Sequence, residues 1–471
     1  MSAAQPTERT VNLAVIGLGK LGSPLAAVLA GTGHRVIGVD VDPALVAAIN
    51  AGRAPVREPG LQEAIARAGP RLSATTDFGT AIRGTDVSFV IVPTPSGPDG
   101  VFTNRWVLDA VDEIGRALRE TERYHVVNIT STVMPGSTGG PIRAALEEAS
   151  GRRVGETVGL TYNPEFIALG SVVRDLLHPD MVLIGESDPR AGDVLERLYR
   201  GMLGAEKPVQ RMNWVNAEIA KISVNTFVTT RISYANMLAE LCEKLPGADV
   251  EVVTAALGKD SRIGPKYLKG ALGYGGPCFP RDNVAWAALA RSLGTGAEIA
   301  AATDAVNRRQ VERVVALVRR LREPPDASVA LLGMAYKPGT PVIEQSQGVM
   351  IAERLTEAGY RVLLSDPLAL ENTAAALGEG VVAVSDPASA VAHADVVVIA
   401  APMPAYAALR AEHFASRSER KTVIDCWRIL DPGVAAVADV IEIGRGPAMP
   451  EPQSAIRQNS VEPARLRALP R

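Results

Sequence analysis

Cysteine is scarce in this chain, and what there is does not pair. Among 471 residues there are three cysteines, Cys242, Cys278 and Cys426, an odd number at wide spacing. That argues against a disulfide framework and against a zinc-type cluster, so no metal is expected and a reducing compartment fits. Excess charge is missing too. A net charge of -3 and an isoelectric point near 6.1 leave no basic field for nucleic acid and no polybasic membrane patch. No apolar run approaches the roughly 20 residues of a membrane span, and the opening MSAAQPTERT lacks the apolar stretch of a signal peptide. These absences point to a cytoplasmic protein whose partners are small molecules or further copies of itself.

Hydrophobic residues, by contrast, make up 47% of the chain, and its length suggests about two or three domains. Val/Ile-rich runs alternate with Ala/Leu-rich stretches, the pattern of a parallel sheet flanked by helices. VNLAVIG, HRVIGVD, DVSFVIVPTP and YHVVNITST read as its buried strands, and ligands of such sheets bind at the strands' carboxyl ends. From about Trp214, NWVNAEIAKISVNTFVTTRISYANMLAELCEKL contains neither proline nor glycine, which predicts a long helix, a spine between domains and a common subunit interface. SVALLGMAYKP, YRVLLSDP, ADVVVIAAP and KTVIDCW predict a second parallel sheet without a glycine fingerprint, compatible with a distant internal pair. The expected architecture is α/β: two Rossmann-like, doubly wound parallel-sheet domains at 11–205 and 323–445, joined by a central helical region at 206–322. A flexible N-terminus (1–10) and a loosely ordered tail (446–471) complete it.

Directly after the first predicted strand, VIGLGKLGSPLA places Gly17, Gly19 and Gly22 at a strand-to-helix turn. The first glycine permits the tight turn, the second lets backbone approach a pyrophosphate, and the third packs helix on strand, with the phosphates facing the helix N-terminus. Leu18, Lys20 and Leu21 complete that turn. Asp40 closes the next strand, where an acid accepts from ribose hydroxyls and would repel a 2'-phosphate. NAD is therefore the expected cofactor.

Further polar residues interrupt apolar or glycine-rich surroundings. TSTVMPGS offers the Ser131 and Thr132 hydroxyls at a sheet edge, or merely a turn; TYNPEF holds Glu165 near a site, or in solvent. Lys221 and Asn225 share one helix face among apolar neighbours, so the lysine is either a snorkelling stem or a desolvated ammonium. Cys278 sits in GALGYGGPCFPRDN, too irregular for a core strand or helix. A free cysteine is most often a small buried hydrophobe; here glycines would let a ligand approach, and Arg281 or Lys221 would lower the thiol pKa.

These residues lie in an order that closely resembles the UDP-glucose/GDP-mannose dehydrogenase family, from Val11 to about Asp431. The likeness covers the glycine turn, INAGRAPVREPGL, VPTP, STVMPG, NPEF, AEIAKISVNTF, GKDSRIGPKYLKGALGYGGPCFPRD and LGMAYKPGT. It implies an NAD-dependent four-electron oxidation. A sugar C6 alcohol gives up a hydride, the aldehyde is captured by a cysteine, a second hydride leaves, and the thioester is hydrolysed. By this resemblance Cys278 is the nucleophile, Lys221 and Asn225 stabilise oxyanions, Asp282 and Thr132 assist water and proton transfer, and Glu165 is the acid/base of hydrolysis. Pro93, Thr94, Thr132 and Arg281 join the cofactor contacts. Glu165, Phe166, Lys221, Asn225, Tyr267, Tyr274, Gly275 and Lys337 contact the nucleotide sugar, with Arg262 reaching it from a neighbouring subunit. A homodimer or higher homo-oligomer is implied.

Several positions depart from the family pattern. Leu169 stands where an acid is frequent, Arg281 where a lysine is frequent, Glu344 and Gln345 where an arginine and a glutamate are common, and Trp427 at an arginine position with Arg428 following. The reacting residues are intact whereas the recognition residues differ, so the residues specify the reaction more closely than its substrate, for which UDP-glucose is the default. UDP-N-acetylhexosamines, TDP-glucose and GDP-mannose are the alternatives. A catalytically silent NAD or sugar-nucleotide sensor and a two-electron dehydrogenase are the readings outside that reaction.

Overall fold

The computed structural model describes residues 10–322, 327–416 and 419–448; the rest of the expected flexible N-terminus and loose tail lies outside the described residues. Every strand expected above is present. The first sheet contains β1 (Asn12–Ile16), β2 (Arg35–Val39), β3 (Leu72–Thr75), β4 (Val87–Val90), β5 (Val126–Ile129), β6 (Gly159–Tyr162), β7 (Val182–Glu186) and β8 (Val209–Met212). Their spatial order is β3-β2-β1-β4-β5-β6-β7-β8. Successive side chains of β1 serve opposite faces: Leu13 and Val15 join one apolar cluster, Ala14 and Ile16 the other. That double burial is why the inner strands read as continuous apolar runs.

The sheet is not wholly parallel, a departure from the expectation. β7 runs antiparallel to β6, with Tyr162 opposite Gly185, while β8 pairs parallel with β7. The connection from β6 to β7 never crosses back over the sheet. It therefore leaves residues 163–181 at the carboxyl ends of β1 to β6, and Glu165 with them.

The second sheet holds β9 (Ser328–Leu332), β10 (Arg361–Ser365), β11 (Val381–Ala383), β12 (Val396–Ile399), β13 (Thr422–Asp425) and β14 (Asp439–Glu442). Its order is β11-β10-β9-β12-β13-β14, parallel throughout. Although no glycine fingerprint is legible here, its steric equivalent exists. Gly333 follows β9 at φ +110, and a Cβ on Gly348 would overlap the Gly333 carbonyl. Gly17, at φ +98 after β1, stands in the same relation to Gly22. Residues 334–347 replace the short turn of the first sheet, which is why the spacing hides the pair.

Between the sheets runs the helix Trp214–Cys242, 29 residues long and shorter than the predicted stretch, which reaches Leu245. Asn213 caps it by accepting the Asn216 N–H at 3.0 Å. It packs on β7 and on the helices Phe279–Ser292 and Glu298–Leu321, the latter leading to the second sheet. At the far end Gly444 donates to Glu243 at 2.8 Å and Arg313 pairs with Glu243 at 2.7 Å, tying the second domain to this spine. Among the described residues no helix is long and apolar enough to cross a membrane.

Candidate active site

At the glycine turn, backbone conformation and packing settle what each glycine does. A Cβ on Gly17 would lie 2.5 Å from the Ile91 carbonyl oxygen, whereas one on Gly19 would meet nothing within 4 Å. Gly17 and Gly22 thus close the strand-helix contact, and Gly19 leaves open space before the helix Gly22–Gly31. Asp40 reaches back to this turn: its carboxylate accepts the Leu18 N–H at 2.7 Å and the Asp42 N–H at 2.9 Å. An open glycine, a helix N-terminus and a carboxylate at the next strand end fit a dinucleotide's pyrophosphate and ribose. In the second sheet the corresponding Asp366 is buried and accepts from four backbone N–H groups, those of Met334, Ala335, Leu368 and Ala369. Its oxygens are used internally, so that sheet does not repeat the first one's ribose site.

The remaining predicted residues converge at the same carboxyl edge. Cys278 is the N-cap of the helix Phe279–Ser292, whose first turn presents Arg281 and Asp282. Asp282 is 1% exposed; it accepts from Asn225 Nδ2 at 2.7 Å and faces Arg281 Nε at 3.4 Å. Arg281 also lies 4.3 Å from the Phe102 ring centroid and donates to the Thr94 carbonyl at 3.2 Å, while Thr94 Oγ1 donates to the Thr132 carbonyl at 2.7 Å. Pro93 and Thr94 after β4, Thr132 after β5, and the cysteine helix are therefore linked. Ser131 is not part of this arrangement, because its hydroxyl is held by Val92 N–H and carbonyl.

Lys221 enters from the long helix, 8% exposed. Its Nζ donates to the Glu165 carbonyl at 2.6 Å and stands 4.6 Å from the Phe166 ring centroid. It is a desolvated ammonium, and burial holds its pKa below the ordinary lysine range against the opposing pull of Asp282, Cys278 and Glu165. Burial raises the Glu165 carboxyl to about 7, although Tyr199, donating at 3.0 Å, and Lys221 favour its charged form.

The thiol shift runs opposite to the expectation. Cys278 opens to solvent, but dense protein surrounds its other sides. Desolvation and the Asp282 charge push the thiol pKa up, outweighing Arg281 and Lys221.

Several expected ligand contacts are used otherwise. Gly275 and Gly276 do not leave room for a ligand: the Gln345 carbonyl occupies the place of a Cβ on Gly275, and one on Gly276 would lie 2.5 Å from the Tyr336 ring. Tyr274 is buried, its hydroxyl held by Asn283 at 3.0 Å and its N–H by Asn307 at 2.7 Å, so it braces the loop from within. Arg262, its side chain 87% exposed, pairs with Asp260 at 2.6 Å and joins no contact of the Cys278 cluster. Tyr267, at φ +62, is exposed on the same segment. Lys337 does lean toward the first domain, where Asp175 and Glu58 partly oppose the lowering of its pKa by burial.

The altered positions also have definite places. Leu169 packs on the first domain's apolar cluster. Trp427 donates to the Ala400 carbonyl at 2.9 Å, and Arg428 turns inward, donating to Ile443 and facing Glu251 at 3.4 Å. Arg428 therefore does not replace the arginine that Trp427 displaces.

Sequence reading missed Glu218. Fully buried on the long helix, it accepts from Gly136 N–H at 2.6 Å and Thr138 N–H at 2.8 Å, fastening the loop after Thr132 to the spine. Its signal was its place three residues before Lys221, on the same helix face. Tyr199, which holds both Glu165 and Asn163, gave no local signal.

A dinucleotide turn, a cysteine and a buried lysine at one sheet edge, with a second Rossmann-like sheet beside them, define the class of nucleotide-dependent oxidoreductases. Comparison with known proteins narrows the class. Three consecutive segments match the UDP-glucose/GDP-mannose dehydrogenase family: its NAD binding domain over residues 11–203, its central domain over 215–309 and its UDP binding domain over 330–432. The chain belongs to this family. It is 38% identical over 423 residues to the UDP-glucose 6-dehydrogenase AglM of Haloferax volcanii, covering 89% of this chain and 97% of that one. With the GDP-mannose 6-dehydrogenase of Pseudomonas putida it shares 34% identity over 361 residues, 76% of this chain and 81% of that one. A UDP-glucose dehydrogenase structure from Pyrobaculum islandicum superposes with a TM-score of 0.85 at 35% identity, over 95% of this chain and 99% of that one.

Proposed function

We propose that this chain oxidises the C6 hydroxymethyl group of UDP-glucose to the carboxylate of UDP-glucuronate in two successive two-electron steps, consuming one water. The observation that carries this reading is the meeting of Cys278, Lys221, Asn225, Asp282 and Glu165 at the sheet edge that also bears the Gly17–Gly22 turn. NAD, when bound, would supply the hydride acceptor, one molecule for each of the two oxidations, with the first NADH exchanged for a second NAD in between. Gly19 and the helix N-terminus behind it would hold its pyrophosphate, and Asp40 its ribose.

Cys278 Sγ gives up its proton and adds to the C6 aldehyde of the first oxidation, which keeps that aldehyde on the protein. The ammonium of Lys221 and the amide of Asn225 face the oxyanion that develops. Loss of the second hydride leaves a thioester on Sγ. Glu165, with a pKa of about 7, takes a proton from the attacking water, and Sγ departs as the acid forms. Asp282, held by Asn225 and Arg281, and Thr132 orient water and carry protons between these groups.

UDP-glucose is favoured over GDP-mannose because the likeness to the UDP-glucose enzyme extends over 89% of this chain, against 76% for the GDP-mannose enzyme. We place the protein in the cytoplasm, in keeping with its three unpaired thiols. We also propose a homodimer through the long helix. Phe227, Tyr234 and Leu241 recur every seven residues and are exposed, Phe227 by 65%, and Arg231 of that helix anchors the Arg262 segment through Ile263 at 2.8 Å. A partner docked there would receive Arg262.

Incubation with NAD and a panel of UDP-, TDP- and GDP-sugars tests the reading. Two NADH per acid, with UDP-glucose preferred, is expected. Preference for GDP-mannose would move the substrate assignment, and cofactor binding without turnover of any panel member would sink the reaction.

A further inference from the structure

The loop from Tyr336 to Gln345 of the second domain rests on backbone of the first part of the chain at three glycines. A Cβ on Gly170, after the NPEF segment, would lie 2.6 Å from the Gly339 carbonyl oxygen, and the Gln345 carbonyl and Tyr336 ring close on Gly275 and Gly276. Gly276 N–H donates to the Glu344 carbonyl at 2.9 Å, two residues before Cys278. Gln345 adopts φ +51, a left-handed conformation unfavourable for a non-glycine residue. The surrounding contacts hold it there. Glu344 itself is exposed and makes its backbone contact at the base of the cysteine turn.

We propose that Glu344 is a positioning residue that makes the nucleophile answer to the second domain: its loop, seated on the cysteine loop, presents a negative charge to Cys278, so thiol reactivity depends on how that loop sits. The inference rests on the reading of Cys278 as nucleophile. The groups facing the thiol are Asp282 and Arg281 from its own helix, Lys221 from the long helix, and Glu344 and Tyr336 from this loop. Of the two acids, Asp282 is fixed by Asn225 and Arg281. Glu344 belongs to the other domain, so its distance from Sγ changes whenever the domains move relative to each other. A seated loop adds the Glu344 charge to desolvation and Asp282 in holding the proton on Sγ, and a displaced or neutralised Glu344 removes that share.

The test is the rate of iodoacetamide alkylation of the Cys278 peptide, followed by mass spectrometry from pH 6 to 10 in wild type, Glu344→Gln and Glu344→Lys, without substrate. The midpoint should fall in the order of charge, by roughly 0.3–1 pH unit per step, so that Glu344→Gln reacts about two to ten times faster at pH 7. Because Glu344 is exposed, about 1 M salt should compress the spread. Equal midpoints across the series, or one common shift in both variants without charge order, would overturn the proposal. Failure of the nucleophile reading would appear separately, as acid production by Cys278→Ser.

Discussion

Glu165 owes its proposed usefulness to standing half-buried and desolvated next to Lys221 without being neutralised by it. With a pKa near 7, its base form should set the pH dependence of thioester hydrolysis, the single-turnover rate rising through about pH 7 and levelling above it. Glu165→Gln should abolish that limb, slow hydrolysis by about 100- to 1,000-fold and let the acyl-enzyme accumulate to where intact-protein mass spectrometry detects it. The same shift carries a stability signature. The carboxyl keeps its proton to about 7 when folded but loses it near 4.5 when unfolded, so the native state binds the extra proton in between. Its stabilising contribution is therefore complete below about 4.5 and lost as pH rises through 7; in Glu165→Gln, denaturant melts should lack that decline. For Cys278→Ser the expectation is loss of acid product with NAD binding retained, measured by product chromatography and by titration of cofactor fluorescence. Wild-type acid formation would remove Cys278 from the mechanism.

Among the elements, the helix Trp214–Cys242 organises the chemistry because Glu218, Lys221 and Asn225 lie on one face of it. Each reaches a different loop: Glu218 the segment after β5, Lys221 the backbone after β6, and Asn225 the cysteine helix through Asp282. Glu218→Gln would set an amide nitrogen against the Gly136 or Thr138 N–H. It should cost about 1–3 kcal/mol, seen as a lowered thermal midpoint, and should slow turnover more than it weakens NAD binding. The helix and the strands β1, β2, β4, β5, β9, β10, β12 and β13 were legible because periodicity and unbroken Val/Ile runs are local signals, whereas the inner strands β6 and β7 were not read. The edge strands β3, β8 and β14 were not, since LSAT, VQRM and DVIE lack an apolar run. The reversal of β7 depends on the route of the chain outside the sheet, which no pattern within VLIGE records.

At the scale of the whole molecule, the proposed second copy of the chain would account together for the exposed Phe227, Tyr234 and Leu241 and the outward Arg262. Phe227→Glu combined with Tyr234→Glu should shift sedimentation from dimer to monomer and abolish turnover while the monomer stays folded. Mixing inactive Cys278→Ser with inactive Arg262→Ala should restore up to about a quarter of wild-type activity, since half of randomly mixed dimers are hybrids with one complete site of two. Absence of any recovery despite confirmed subunit exchange would count against Arg262 acting across the interface.

By itself the sequence determined the elements whose causes are local: the glycine turn and its acid, most of the apolar inner strands, and the unbroken helix. Through resemblance it also pointed to the cysteine loop as the place of the proposed covalent chemistry. Tertiary structure decided which of those residues meet and with what effect. It turned Asp366 inward, spent Gly275 and Gly276 on the second domain, brought Lys221 to Glu165 and reversed the expected shift of Cys278. The reason is physical. Backbone propensity and periodicity act over a few residues, whereas desolvation and charge act on whatever the fold brings near, and in this site those neighbours come from segments far apart in the chain.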